Sequence, residues 1–241
     1  NLNTTGASNV AVGYNALQRN TTASFNTAVG REALELNTTG ANNVAVGYQA
    51  LETNTTGAGN IAVGYQALES NTTAAGNVGI GLQALYANTT GADNIAIGKE
   101  ALRDNSTATG NVAIGRNSLN LNTTGGTNVA VGYTALSRNT TGGNNVAIGE
   151  ALVLNTTGAL NTAVGFQALH NNTISNSNVA IGYYALKANT AAENVAVGGR
   201  ALYQNTTGAN NVAVGTEALD DNTTGSNNTA VGKFVLQKNT T

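Results

Sequence analysis

The chain has 241 residues, a formal net charge of −2, 9% charged and 5% aromatic residues, and no Pro, Cys, Met or Trp. The missing Cys excludes disulfides and thiolate metal sites, and the near-neutral charge gives no footprint for nucleic acid or an anionic membrane surface. A 41% hydrophobic fraction is enough for a core, while 30 Gly without any Pro point to an internal repeat rather than to disorder.

The repeat is read from one glycine column: Gly13, Gly30, Gly47, Gly64, Gly81, Gly98, Gly115, Gly132, Gly149, Gly165, Gly182, Gly198, Gly215 and Gly232. Every interval is 17 residues except two of 16, so fourteen copies of N-V-A-V-G-x-x-A-L-x-x-N-T-T-G-A-x form a single array over residues 1–241. One short copy lacks a residue between Gly149 and Ala151, the other between Asn189 and Asn194. Deletions are tolerated where a chain turns. Two short strands per coil are therefore predicted, around V-A-V and around A-L-x-x-N-T, with turns at G-x-x and T-G-A-x. Seventeen residues are too few for a two-helix repeat, and Val, Ile and Thr at fixed columns favour strands. The prediction is an all-β fold, a parallel β-solenoid of fourteen coils, about 67 Å long at one layer per ~4.8 Å.

Along each copy, the Val10 and Val12 columns are β-branched. Residues two apart share a face, so both are expected to point into the coil together with the invariant Leu17 column. Between them stands a column that is Ala in thirteen copies and Gly79 in the other, including Ala11, Ala28, Ala45, Ala62, Ala96 and Ala113. Either the coil is too tight for a larger side chain, or the column is a second buried face where another chain packs; the second is the reading carried forward, because long apolar strips are seldom left exposed.

Two Asn columns are invariant. One precedes the strand (Asn9, Asn26, Asn43 and onward), and the other opens N-T-T: Asn20, Asn37, Asn54, Asn71, Asn88 and successors. Stacked Asn can bond layer to layer and to turn backbone. The second column also reads as a glycosylation acceptor at most of its positions, for example Asn37, Asn54, Asn122 and Asn205. A structural ladder is preferred, because at Asn172 and Asn189 the acceptor motif is lost while Asn stays. Of the two Thr columns, Thr21 and Thr22, one is expected to face inward or toward the turn and the other outward.

Catalytic chemistry is hard to assemble. His170 is the single histidine, and the nearest acidic cluster, Glu217, Asp220 and Asp221, falls at variable positions. No catalytic residue, metal ligand or cofactor site is assigned. Tyr14, Tyr48, Tyr65, Tyr133 and Tyr183 recur after the Gly column as a stripe suited to sugars or proteins, interrupted by Arg31, Lys99, Arg116 and Lys233.

The segment N-V-A-V-G-x-x-A-L resembles the head repeats of trimeric autotransporter adhesins, and the longer unit with N-T-T-G resembles repeat arrays of phage-type tail fibres. The resemblance covers all fourteen copies, though the unit is longer than the usual adhesin head unit. It implies a left-handed parallel β-roll, assembly as a homotrimer, and binding to a host surface protein or glycan. The expected function is the structural and adhesive shaft of an extracellular fibre, on a cell surface or a virion. The alternative is an ice-binding protein using Thr columns on a flat face; a carbohydrate-active enzyme ranks third. No apolar stretch approaches the ~20 residues of a membrane-spanning helix. An opening at Asn1-Leu2-Asn3, with apolar columns already in the first copy, is expected of a piece of a longer array or of coils that stack end to end into a filament.

Overall fold

The computed structural model describes residues 2–240 and comprises two compact units, Asn1–Thr124 and Gly125–Thr241. The first carries seven three-residue strands, β1 (Val10–Val12) through β7 (Val112–Ile114), and the second carries β8 (Val129–Val131) through β14 (Thr229–Val231). No helix occurs among the described residues, so none is long and apolar enough to cross a membrane. Within each unit the strands pair in parallel and in chain order, each with its own copy one coil on: Val44 opposite Ile61, Ala45 opposite Ala62, Val46 opposite Val63. The fold is a β-solenoid with a repeat of about 17 residues.

In-register stacking explains where the array was shortened. The strand after Gly149 still aligns column to column, Val146 with Thr162 and Ile148 with Val164, although the copy is one residue short. The loss is taken up at Gly149 itself, whose φ of 93° departs from the 126–140° of its column. Elsewhere this column must be glycine for space as well as for φ. A Cβ on Gly64 would lie 2.5 Å from the carbonyl oxygen of Gly81 in the next coil.

The predicted second strand is absent. The A-L-x-x-N segment is instead a chain of linked turns. In the second coil the Ala33 N–H donates to the Gly30 carbonyl (3.4 Å) and the Asn37 N–H to the Leu34 carbonyl (3.3 Å). Glu32 and Leu34 hold positive φ, 60° and 50°, and the Leu column repeats this in every copy. Alternating handedness prevents a pleated strand, yet it leaves alternate N–H groups directed along the stack. Leu34 donates to Ala50, Leu36 to Glu52 and Thr38 to Thr55, at 2.9–3.0 Å. A non-Gly residue at positive φ costs about 1 kcal/mol or more, and these inter-coil bonds hold it there.

The core is also arranged differently from the sequence expectation. Ala28, Ala45, Ala62, Ala96 and Ala113 are fully buried within a single chain, whereas Val29, Val46, Ile61, Ile80 and Ile97 are 36–38% exposed. The Ala column therefore faces into the coil, and the Val and Ile columns face out. Ala11, in register with Ala28, lies on the same side of its strand although the first coil leaves it exposed. The reason is the space left by the turn segment. Its Leu column, fully buried from Leu34 to Leu219, fills the interior opposite the strand. A Cβ built on Gly79 would sit 3.2 Å from Leu68 Cγ and 3.2 Å from the Ala84 carbonyl oxygen. Only a methyl group fits, so the Ala strip is an intrachain packing face and not an interchain one.

Ala113→Arg is accordingly expected to destabilise the fold itself by more than about 4 kcal/mol, through overpacking and a buried charge. Denaturant titration followed by circular dichroism would show this. Thr56→Arg, on an exposed column, should shift the midpoint negligibly by comparison.

Candidate functional site

The two Asn columns form the polar interior. In the N-T-T column the side-chain amide of most coils donates twice. Asn54 Nδ2 donates to Asn37 Oδ1 (2.8 Å) and to the Gly57 carbonyl (3.0 Å), and Asn88 Nδ2 donates to Asn71 Oδ1 and to the Gly91 carbonyl, both at 2.9 Å. One bond links coils; the other closes the turn three residues on. Asn20, Asn37 and Asn71 make the same pair, whereas Asn189, in a short copy, keeps the turn bond alone and leaves the buried Asn172 Oδ1 without a partner. The column before the strand is tied to the first. Asn43 Oδ1 accepts from the Asn60 backbone N–H (2.9 Å), while Asn43 Nδ2 donates to the same Gly57 carbonyl at 2.9 Å. Both lone pairs of that oxygen are thus used. Buried amides satisfied in this way stabilise rather than penalise the interior.

This geometry overturns the glycosylation reading. Asn37, Asn54, Asn122 and Asn205 are fully buried. A glycan attaches at Nδ2, and Asn205 Nδ2 already donates to Asn189 Oδ1 (2.7 Å) and to the Gly208 carbonyl (2.8 Å). The folded coil leaves neither a hydrogen nor room for a sugar there.

The Thr columns divide. The Thr21-column hydroxyl donates to the carbonyl of its copy one coil on, as Thr38 does to Thr55 and Thr55 to Thr72, both at 3.0 Å. The Thr22 column, including Thr39, Thr56 and Thr73, is exposed.

Outside, three surfaces carry character. The first is the strip formed by the Val10 and Val12 columns on the outer face of the strands. Its 28 positions hold 25 Val or Ile, three Thr and no charge.

The second, in the first unit, is a carboxylate face that the sequence reading passed over although its 17-residue spacing was visible. Glu35, Glu52 and Glu69 stack in one column, and Glu32, Glu35 and Glu52 bring a carboxylate oxygen each within 4.8 Å of one another. Burial raises the Glu52 carboxyl above the usual carboxylate range, and the neighbouring charges of Glu69, Glu32 and Glu35 push it further. Burial likewise raises Glu69, opposed by the Tyr86 hydroxyl. Arg31 pairs with Glu32 at 3.0 Å.

The third is aromatic. Tyr48 and Tyr65 stack at 5.1 Å, and the Arg31 guanidinium lies 5.7 Å from the ring centroids of both Tyr14 and Tyr48. In the second unit Phe166, Tyr183, Tyr184 and Tyr203 cluster. Of these the sequence stripe contained only Tyr183.

Asp220, Glu217 and His170, singled out in the sequence, each have a polar neighbour. Asp220 is nearly buried and binds Arg200 through both oxygens, at 2.8 and 3.2 Å. Glu217 accepts from Gln237 (2.7 Å), and His170 Nδ1 lies 2.9 Å from Asn171 Oδ1. Comparison with family models, with curated proteins and with solved structures yields no match.

Two outcomes are expected. Asn71→Ala removes the acceptor of Asn88 and two donated bonds, leaving buried groups unsatisfied; a loss of about 2–4 kcal/mol is expected in denaturant titration. Glu52→Gln tests the carboxylate face. A carboxyl whose folded pKa is raised binds its proton more tightly folded than unfolded, so stability rises as pH falls from neutral toward the ordinary Glu value. The variant should melt higher than wild type at pH 7, and the difference should vanish near pH 4, as read by calorimetry.

Proposed function

We propose that the protein is the structural and adhesive shaft of an extracellular fibre, on a cell surface or virion, built by association of identical copies and serving surface attachment. The observation that carries this reading is the uncharged Val/Ile strip on the outer strand face of each unit. Contiguous exposed apolar surface of this kind marks an interaction site. A partner must match it coil by coil, and a second copy of the same chain has the same rise and the same apolar columns. Three copies, as the resemblance to adhesin heads implies, would close three strips around one axis. Stacked identical coils suit a load-bearing rod, in which stability is shared between neighbouring repeats.

The ice-binding alternative has less support. It needs two outward Thr files with hydroxyls directed at the lattice, but the Thr21-column hydroxyls are spent on backbone carbonyls of the neighbouring coil.

Sedimentation velocity should give a mass near three chains for the wild type. Ile97→Lys combined with Ile114→Lys, both on the outer strip, should shift it to one chain while the β circular dichroism signal persists. A wild type that sediments as a monomer at tens of micromolar would defeat the proposal.

A further inference from the structure

In the second unit the stack of N-T-T corners is interrupted between Asn172 and Asn189. At an intact corner four bonds cross from coil to coil. The Thr55 and Thr56 N–H groups donate to the Thr72 carbonyl (2.8 and 3.4 Å), the Thr55 hydroxyl donates to the same oxygen (3.0 Å), and Asn71 Nδ2 donates to Asn54 Oδ1 (2.9 Å). None of the four has a counterpart between the Asn172 and Asn189 corners. The Thr190 carbonyl accepts from the Ser175 hydroxyl and not from the Thr173 or Ile174 N–H or the Thr173 hydroxyl. Asn189, in a turn one residue short, donates to the Ala191 carbonyl (2.6 Å), and the oxygen of the fully buried Asn172 is left without a donor.

The interruption is bounded on every side. Before it the Asn171 N–H donates to the Lys187 carbonyl (3.0 Å); after it the Glu193 N–H donates to the Asn176 carbonyl (3.2 Å) and the Asn194 N–H to Asn178 Oδ1 (3.0 Å). The strands on both sides of the corner stay in register, Thr162 with Val179 and Val179 with Val195, and Leu169 and Leu186 are fully buried. The adjoining corners are sound. Asn172 Nδ2 donates to Asn155 Oδ1 (3.0 Å) on one side, and Asn205 Nδ2 to Asn189 Oδ1 (2.7 Å) on the other. Shortening alone is not the cause, since the other short copy lost its residue beside Gly149 and keeps Asn155 Nδ2 on Asn139 Oδ1 (2.8 Å).

We infer that this corner is an opening point built into the array: residues 172–175 and 189–192 part from one another while the strands and the Leu column stay stacked, and water enters the Asn interior there first. The balance of bonds gives the reason. Opening an intact corner breaks four crossing bonds as well as the flanking ones. Here the crossing set is reduced to the Ser175 bond, and opening hydrates a buried amide oxygen that has no partner in the closed coil. The opening concerns bonds within one chain and is independent of any association between copies.

Amide hydrogen exchange on the full chain, resolved to single residues by electron-transfer fragmentation and corrected for intrinsic rates, tests this. The amides to read are those bonded in the closed coil, which only opening releases. Asn171, Glu193 and Asn194 cross the interrupted corner; Leu154, Ser177 and Asn178 cross the corner between Asn155 and Asn172; Gln204, Asn227 and Asn228 cross that between Asn205 and Asn222. The first set should exchange at least about tenfold faster than either of the others, the equivalent of one to two net hydrogen bonds. Completing the short copy, by Ala191→Thr with a glycine inserted before Ala192, restores N-T-T-G-A and should slow the first set to the rate of the others, with the circular dichroism spectrum unchanged. Equal rates in the three wild-type sets would overturn the inference. So would exchange that is fastest at Gln204, Asn227 and Asn228, the mark of fraying from the chain end, or rates at the first set that completing the copy does not move.

Discussion

A coil of 17 residues encloses one strand, a chain of turns and almost no volume, so the polar groups inside it have to find partners in the coil above or below. The Asn columns meet that demand. In most coils the N-T-T amide joins its copy in the neighbouring coil and closes its own turn, and the Gly57-type carbonyl ties the two columns together. An unsatisfied buried amide is expensive, and a partner at the same position one coil away is available only if that copy has the same residue. Identity between copies is thus a bonding requirement, and the in-register strand pairing follows from it. The first short copy respects it as well, through Asn155 and Asn139, but the second breaks it on one side, because Asn189 sends no bond back to Asn172 and the buried Asn172 Oδ1 is left without a partner. Asn189 closes its turn on the Ala191 carbonyl, one residue earlier than elsewhere, and still accepts from Asn205.

The same stacking holds a backbone that would not stand alone. Two or three non-Gly positions per coil carry positive φ, three of them in the second coil: Phe25 (61°), Glu32 (60°) and Leu34 (50°). Isolated, such residues would relax. In the stack, N–H groups on either side of each coil are already bonded to neighbours, so relaxing one residue would break bonds in two coils. The Leu column gains in return a fully buried side chain, worth roughly 1.5–3 kcal/mol each by transfer.

With the interior occupied by Ala, Leu and Asn, variation is confined to the outside, and the surfaces differ accordingly. The Val/Ile strip is uniform from copy to copy, which suits a partner of the same period. The columns after the glycine are not uniform: the first unit sets stacked carboxylates near its aromatics, while the second sets Lys187 and Arg200 beside Tyr184 and Tyr203. A repeat that is constant inside can therefore carry distinct local chemistry in different coils.

The sequence by itself determined the period, the strand at V-A-V, the parallel stacking and the turn placement of both deletions, because these follow from spacing, and spacing is written in the residues. It also singled out the Asn and Leu columns as constant. It did not determine which side of the strand faces inward. Val-Ala-Val alternates, and alternation is symmetric: one face is Val and the other Ala, whichever way the strand is turned. The tertiary structure decided, because the Leu column, carried at positive φ by turns that the sequence made look like a second strand, leaves room for a methyl group and no more. Ala28, Ala45, Ala62, Ala96 and Ala113 therefore went in, and the larger Val and Ile side chains were left outside.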